Sequence, residues 1–579
     1  MTDGYLASFA QFAPRSQGPR QWIGVHYPNM RAFWVLLALS SLGLAQPYIN
    51  YRGIVNVASY MAPGLPAGSL PQGGMVAIFG SKLGPAAGAQ ATTFPLTTTL
   101  AGVSVTVTQQ STTVNAYPVY VGAGQINAIL PSNAPLGRVS VLVTYNGVPG
   151  NPSPANVVAS SFGIITVNGA GFGPGIIQNY ATAGLTVNST QATAQPGQVE
   201  ILWGTGLGPV AQDNVPPTVG NLPLKVEVFV GGQAAAVLYS GRSSCCSGID
   251  QINFTVPAGA PGGCYVPVVV RVAGSVVSNT ATMAIDPNGA PCTDAANSLG
   301  AIFRAGGRFG AALLHHEDDQ VTIDGAPQSF SVESAVLSLR QEAGGVWAFN
   351  PYVSFPPLGT CTAYGMAGVF PTLNDLPGVI ASVKDLNGGA SVSLTGPSAT
   401  ASLLQSATPP VVYAGVLATS QNVAGIPLSF FANGASSTLA GTGGADVGPF
   451  KAGITANAAP VWTNSANAAT VTRAAGLTVT WSNAPASANV ISIIGFNVNP
   501  GNNVSGGFQC LANPAAGSFT VPALALANVP ATPSGSPAGE GWISIGAAQL
   551  ASPASFTASG LDRGIAVFGS VRQLGVVYQ

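Results

Sequence analysis

Gly74-Met75-Val76-Ala77-Ile78-Phe79-Gly80-Ser81-Lys82-Leu83-Gly84-Pro85 returns as Gly197-Gln198-Val199-Glu200-Ile201-Leu202-Trp203-Gly204-Thr205-Gly206-Leu207-Gly208-Pro209. A second landmark, Gly124-Gln125-Ile126-Asn127 with Pro131, returns as Asp250-Gln251-Ile252-Asn253 with Pro257, at the same separation of about 125 residues. A repeat of that length is a domain, since solenoid units run to roughly 20–50 residues. Between the landmarks lie Val103 to Thr108, Val139 to Val143, Val226 to Val230 and Val266 to Val272, most of them alternating apolar and small polar residues. Period-two alternation turns one face inward and the other to water, and short strands parted by Gly, Pro and Asn turns predict a β-sandwich in each copy. The glycines after Phe79 and Trp203 are expected to sit at strand ends with positive φ.

Composition agrees. Of 579 residues only 6% are charged, while 74 are Gly and 46 Pro and 47% are hydrophobic. An ordinary globular chain carries about 25% charge. Disordered chains combine low hydrophobicity with high charge, so this one is expected to fold into turn-rich β-structure with a surface of hydroxyls and amides. Seventeen basic residues face eighteen acidic ones, which leaves no excess to neutralise phosphates, and nucleic acid is not an expected partner.

Residues 1–29 read as an upstream extension and 30–45 as a signal peptide, because Ala32 to Ala45 is a mostly apolar run that follows Arg31 and ends Gly43-Leu44-Ala45. The run is shorter than the roughly 20 residues of a membrane span, and no later stretch reaches that length. The expected product is exported and lies outside the cell or on its surface. Two β-sandwich repeats are placed at 46–165 and 166–294, a β-rich domain at 295–460, and a C-terminal sandwich-like domain at 461–579, with that last boundary near Pro460.

Within this frame the sequence resembles the secreted β-domains of Solibacter-type acidobacteria, which are similar to immunoglobulin-like IPT/TIG sandwiches. The resemblance rests on Gly53-Ile54-Val55-Asn56-Val57-Ala58-Ser59-Tyr60, the paired landmarks and Ser278-Asn279-Thr280, and covers about residues 50 to 290. It extends more loosely to Gly441-Thr442-Gly443-Gly444-Ala445-Asp446-Val447-Gly448-Pro449-Phe450. It implies tandem immunoglobulin-like folds and export, and no activity.

An exported chain meets an oxidising compartment, and its six cysteines form an even set with fifteen possible pairings. Cys245 and Cys246 are adjacent, and a bond between them would strain the intervening peptide. Separate bonds to Cys264 and Cys292 are expected instead, leaving Cys361 with Cys510.

Histidine scarcity limits the chemistry. Past the signal only His315 and His316 remain, no Gly-x-Ser-x-Gly elbow occurs, and a non-catalytic protein is expected. His315-His316-Glu317-Asp318-Asp319, with Asp324 nearby, is the metal candidate, for calcium through carboxylates or a transition metal through imidazole. The alternative is a solvated loop between Ala311 to Leu314 and Val321 to Ile323. Trp347, Phe349, Tyr352 and Phe355 are either an exposed platform for a sugar ring or packing between sheets. Gly204 to Gly208 and Gly441 to Gly448 lack the Gly-Lys-Ser/Thr of a phosphate loop and read as turns. The expected role is structural or adhesive, with extracellular polysaccharide, cell-surface matrix or the chain itself as partner and no cofactor apart from the calcium option. The alternative is a carbohydrate-active enzyme or carbohydrate-binding protein with its site in 295–460.

Overall fold

The computed structural model describes residues 46–579 except 66, 183, 295–296, 324–325, 352, 369–381, 408–410, 422, 424 and 536–540. The upstream extension, the signal peptide, Asp324 and Tyr352 therefore lie outside the described residues.

The repeat landmarks are neighbouring strands. In the first copy strand Met75–Ser81 pairs antiparallel with Gln125–Ile129, placing Phe79 opposite Gln125 and Ala77 opposite Asn127. In the second, Val199–Thr205 pairs with Asp250–Thr255, placing Trp203 opposite Gln251 and Ile201 opposite Asn253. Each copy also has the glutamine amide donating to the asparagine side chain at 2.8 Å. The first copy packs a five-stranded against a seven-stranded sheet around Ile78, Val105, Ile126 and Val141. In the second, strand Gln233–Arg242 crosses between two ladders at a bulge after Val237 and closes the sandwich around Leu202, Phe254, Val268 and Met283.

The landmark glycines have a reason other than the positive φ expected of them. Neither Gly80 nor Gly204 has positive φ. A β-carbon on Gly80 would collide with the carbonyl of Tyr48, and one on Gly204 with Phe162 and the carbonyl of Gly163. Close backbone approach, a second property only glycine supplies, fixes them.

Beyond residue 300 the expected boundary near Pro460 is crossed by strand pairing. Arg308–Ile323 lies between Ala326–Glu342, antiparallel, and the C-terminal strand Arg563–Tyr578, parallel. Thr360–Ala367 pairs with Val504–Ala512 from the far side of that boundary. The result is one fifteen-stranded sheet faced at its second half by a small sheet of Val461–Trp462, Leu477–Ser482 and Ser518–Val521. Two cores lie on its inner side, one around Leu314, Leu337, Tyr413 and Phe568, the other around Val479, Ile493, Ile545 and Tyr578. Arg563–Tyr578 serves both, its first half in one core and its last residues in the other.

The cysteine pairing is corrected. Cys245 bonds to Cys246, Cys264 to Cys292 and Cys361 to Cys510. Separate bonds from Cys245 and Cys246 to Cys264 and Cys292 are ruled out by place. Cys246 packs with Met75 and Ala58 at the joint with the first sandwich, whereas Cys264 and Cys292 pack with Phe349, Tyr364 and Met366 of the C-terminal half.

Candidate functional site: the polar joints between sandwiches

Contrary to the loop alternative, His315 to Asp319 stand in mid-strand with hydrogen-bonded neighbours on both sides. Alternation sends His316 and Asp318 inward and His315, Glu317 and Asp319 outward. Leu314 precedes His316 on the inward face at the edge of one core, and Leu574 and Val576 follow Arg572 towards the other. His316, Asp318, Glu333, Ser570 and Arg572 thus form a polar waist between the two cores.

Each waist residue is held. His316 Nδ1 lies 2.8 Å from Glu333 Oε1 and its Nε2 3.3 Å from Asp318 Oδ1. Glu333 Oε2 accepts the amides of Phe430 and Phe431 at 2.6 and 2.9 Å. The Glu333 hydrogen bond pulls the His316 pKa up, and burial opposes it. Burial pushes the Glu333 pKa up, but His316 and the two amides outweigh it and hold it low. Glu333 and Asp318 on either side of the ring thus favour its protonated form. Arg572 Nε donates to the carbonyl of Pro460 at 3.1 Å and Ser570 Oγ to that of Asn457, so the segment joining the two cores is tied across the waist.

The outward residues differ. Burial, aided by His316, lowers the His315 pKa to about 4, and burial with Asp319 beside it raises Glu317 to about 8. Both are neutral at pH 7, and Asp319 accepts from Gln573 at 2.8 Å. Among the described residues no three His, Cys, Asp or Glu side chains are grouped to hold a metal. A cleft of about 470 Å³ opens at the end of the waist, lined by Asp318, Asp319, Gln320, Ser329, Trp462, Arg572 and Gln573 among others.

Among the described residues, Trp347, Phe349 and Phe355 do not form one platform. Phe349 is buried edge-on to Tyr265, ring centroids 5.6 Å apart, in the seam between the second sandwich and the C-terminal half. Trp347 is 38% exposed, but its indole donates to the carbonyl of Asn188 across that seam. Phe355 is half-buried, held through its backbone by Asn297.

A second polar joint lies between the two repeats. Arg242 and Asp250, 3% and 0% exposed, form a buried ion pair. Arg242 Nη2 also donates to the carbonyls of Gly208 and, across the joint, Gly73. Asp250 Oδ2 accepts the amides of Gly206 and Leu207, each at 2.7 Å. The glycine turn that could pass for a phosphate loop is thus an anion nest filled by the protein's own carboxylate. Asn56 and Asn279, from the stretches that carry the family resemblance, are clamps of the same kind. Asn56 donates to the carbonyls of Ser161 and Thr205, and Asn279 spans Ile164 and Gly171.

In the sequence Glu333 stands only as one of the acids scattered among turns, with Glu342, Asp375 and Asp385, and Arg572 and the Arg242–Asp250 pair carry no motif. The repeat held one signal: the second landmark begins with Asp250 where the first has Gly124. Arg572 reaches Asp318 only through register across a parallel pair some 250 residues apart, and Glu333 reaches His316 through the antiparallel pairing of Arg308–Ile323 with Ala326–Glu342.

Fold and joints together define an all-β protein of tandem immunoglobulin-like β-sandwiches. No protein-family model matches the chain, and no curated protein matches it. Solved structures that are similar include the plexin A4 full extracellular region (15% identity, TM-score 0.16, 44% of this chain and 20% of that one). Others are the Bacteroides ovatus mixed-linkage glucan utilization locus SGBP-B in complex with a mixed-linkage heptasaccharide (12%, 0.13, 73% and 77%) and domains A168–A170 of titin (9%, 0.13, 64% and 88%). The chain spans about a fifth of the plexin chain.

Proposed function

We propose that the chain is an exported, non-catalytic structural or adhesive protein, a Solibacter-type relative of the IPT/TIG sandwiches. Its partners in this reading are extracellular polysaccharide, cell-surface matrix or further copies of itself. The observation that supports the reading is where part of the scarce charge goes: the buried Arg242–Asp250 pair and the buried Glu333 are held by protein groups at joints between sandwiches. The surfaces between joints stay nearly neutral and rich in hydroxyls and amides. Such surfaces meet neutral glycans or one another with little charge repulsion. Three disulfides fit an oxidising compartment, and among the described residues no helix is long and apolar enough to cross a membrane. Pull-down on insoluble polysaccharides and isolated cell envelope, with sedimentation velocity for self-association, tests the proposal; neither binding nor assembly would defeat it.

The waist cleft favours a second reading, a carbohydrate-binding or carbohydrate-active site, since carboxylates, amides, hydroxyls and Trp462 line one opening. Turnover of a glycan that Asp318→Asn or Asp319→Asn abolishes would put this reading first.

A further inference from the structure

We infer that Cys245–Cys246 is a thiol-exchange site for a dithiol reductant, and that its redox state sets how firmly the first two sandwiches are joined. Cys245 is exposed, whereas Cys264, Cys292 and Cys510 are 4%, 3% and 0% exposed and Cys361 is half-buried against its sealed partner. A reductant therefore reaches this pair without unfolding the chain.

The pair sits in the turn that makes the joint. Cys246 N donates to Ser243 Oγ, Ser243 N to the carbonyl of Ile249, and Ile249 N to that of Cys246. The same turn presents the Gly248 carbonyl to the Thr205 hydroxyl, and that hydroxyl accepts Met75 N of the first sandwich at 2.8 Å. Gly248, at φ +74°, lies so close to the first sandwich that a β-carbon would come within 2.9 Å of Ile129. Bonding adjacent residues closes a ring around one peptide, so the turn has few conformations while the ring is shut, and opening it releases them.

The exchange balances. A thiolate of the reductant attacks Cys245 Sγ, the S–S bond breaks, and Cys246 leaves as a thiolate and is protonated by solvent. The second thiolate of the reductant attacks its own sulfur in the mixed disulfide and becomes a cyclic disulfide. Cys245 leaves in turn, with the Ser243 hydroxyl 3.3 Å away to donate to it. Two electrons pass from the dithiol to the pair.

The full chain is treated with graded dithiothreitol, trapped with iodoacetamide and mapped by peptide mass spectrometry, with hydrogen exchange measured in parallel. Alkylation is expected at Cys245 and Cys246 while the other four cysteines stay bonded. Exchange of peptides covering 72–76 and 203–208 should rise at least tenfold on reduction. The double variant Cys245→Ser/Cys246→Ser should exchange like reduced protein and ignore dithiothreitol. Should that variant not fold, reduced and oxidised wild type still decide the matter. Opening of Cys264–Cys292 in step with this pair, or its reduction with unchanged exchange at 72–76, overturns the inference.

Discussion

Glu200 in the second sandwich occupies the place of Val76 in the first. It is 0% exposed, faces the same core as Leu202, and neither carboxyl oxygen has a hydrogen-bond partner. Asn179 beside it cannot help, since its amide already donates to Ala192 and Thr193. Burial raises the pKa from 4.5 to about 9. The folded state thus keeps a proton that the unfolded state releases, so this residue's effect on stability is most favourable below pH 4.5 and is lost as pH rises towards 9. Across that window the loss is about 1.4 kcal/mol per pH unit, and the stretch from 4.5 to neutral pH comes to about 3 kcal/mol. Glu200→Gln keeps the shape and removes the proton. Hydrogen exchange of the amides in Val199–Thr205 and Asp250–Thr255, corrected for intrinsic rates, reads the opening of this sandwich alone. In wild type the opening constant should rise nearly tenfold per pH unit from 5 to 8, and in Glu200→Gln that dependence should vanish. Equal slopes in the two proteins would refute the buried, neutral carboxyl.

Arg242→Met should strand Asp250 without its cation and destabilise the joint of the repeats by about 3–5 kcal/mol, seen as a lower first thermal transition. Double replacement with Asp250→Asn should recover part of that loss. His316→Gln should cost about 1.5–3 kcal/mol at pH 6 by removing a charged hydrogen bond to Glu333. The His316 pKa is raised, so its contribution is full below 6.5 and fades as pH rises through the folded value; guanidinium melts should separate variant from wild type at pH 6, and the gap should narrow at pH 9. Cys361→Ser/Cys510→Ser opens a link across 149 residues and should lower stability by about 2–5 kcal/mol, measured on the last unfolding transition under non-reducing conditions.

Strand positions were legible locally, while the φ expected of the landmark glycines was not. Val226 to Val230 is a strand at those bounds, and the two landmarks are strands in matching register, because alternation and glycine placement are properties of a few consecutive residues. The His315 cluster shows the limit. Five polar residues in a row look like a loop when only their neighbours in sequence are weighed. As a middle strand they are supported by Glu333 and Arg572, and nothing nearby in sequence announces partners that arrive through strand pairing. The adjacent cysteines failed the other way: a local argument about peptide strain lost to the separation of Cys245 and Cys264 at opposite joints.

The polar joints also bear on why so little charge suffices. Salt bridges on an open surface contribute about 0–1 kcal/mol each and hold nothing in place. A charged group sealed at a joint acts differently, because leaving its partner unpaired is costly and the paired arrangement is therefore narrow. Arg242 joins Asp250 to Gly73 across the joint of the repeats, and the buried Glu333 joins His316 to the amides of Phe430 and Phe431. Apolar contacts alone would let neighbouring sandwiches slide, since they are non-directional. Directional bonds at the joints set the angle between sandwiches, and the role proposed above, in which extended neutral faces meet a matrix, would need that angle fixed more than it needs charge on the faces themselves.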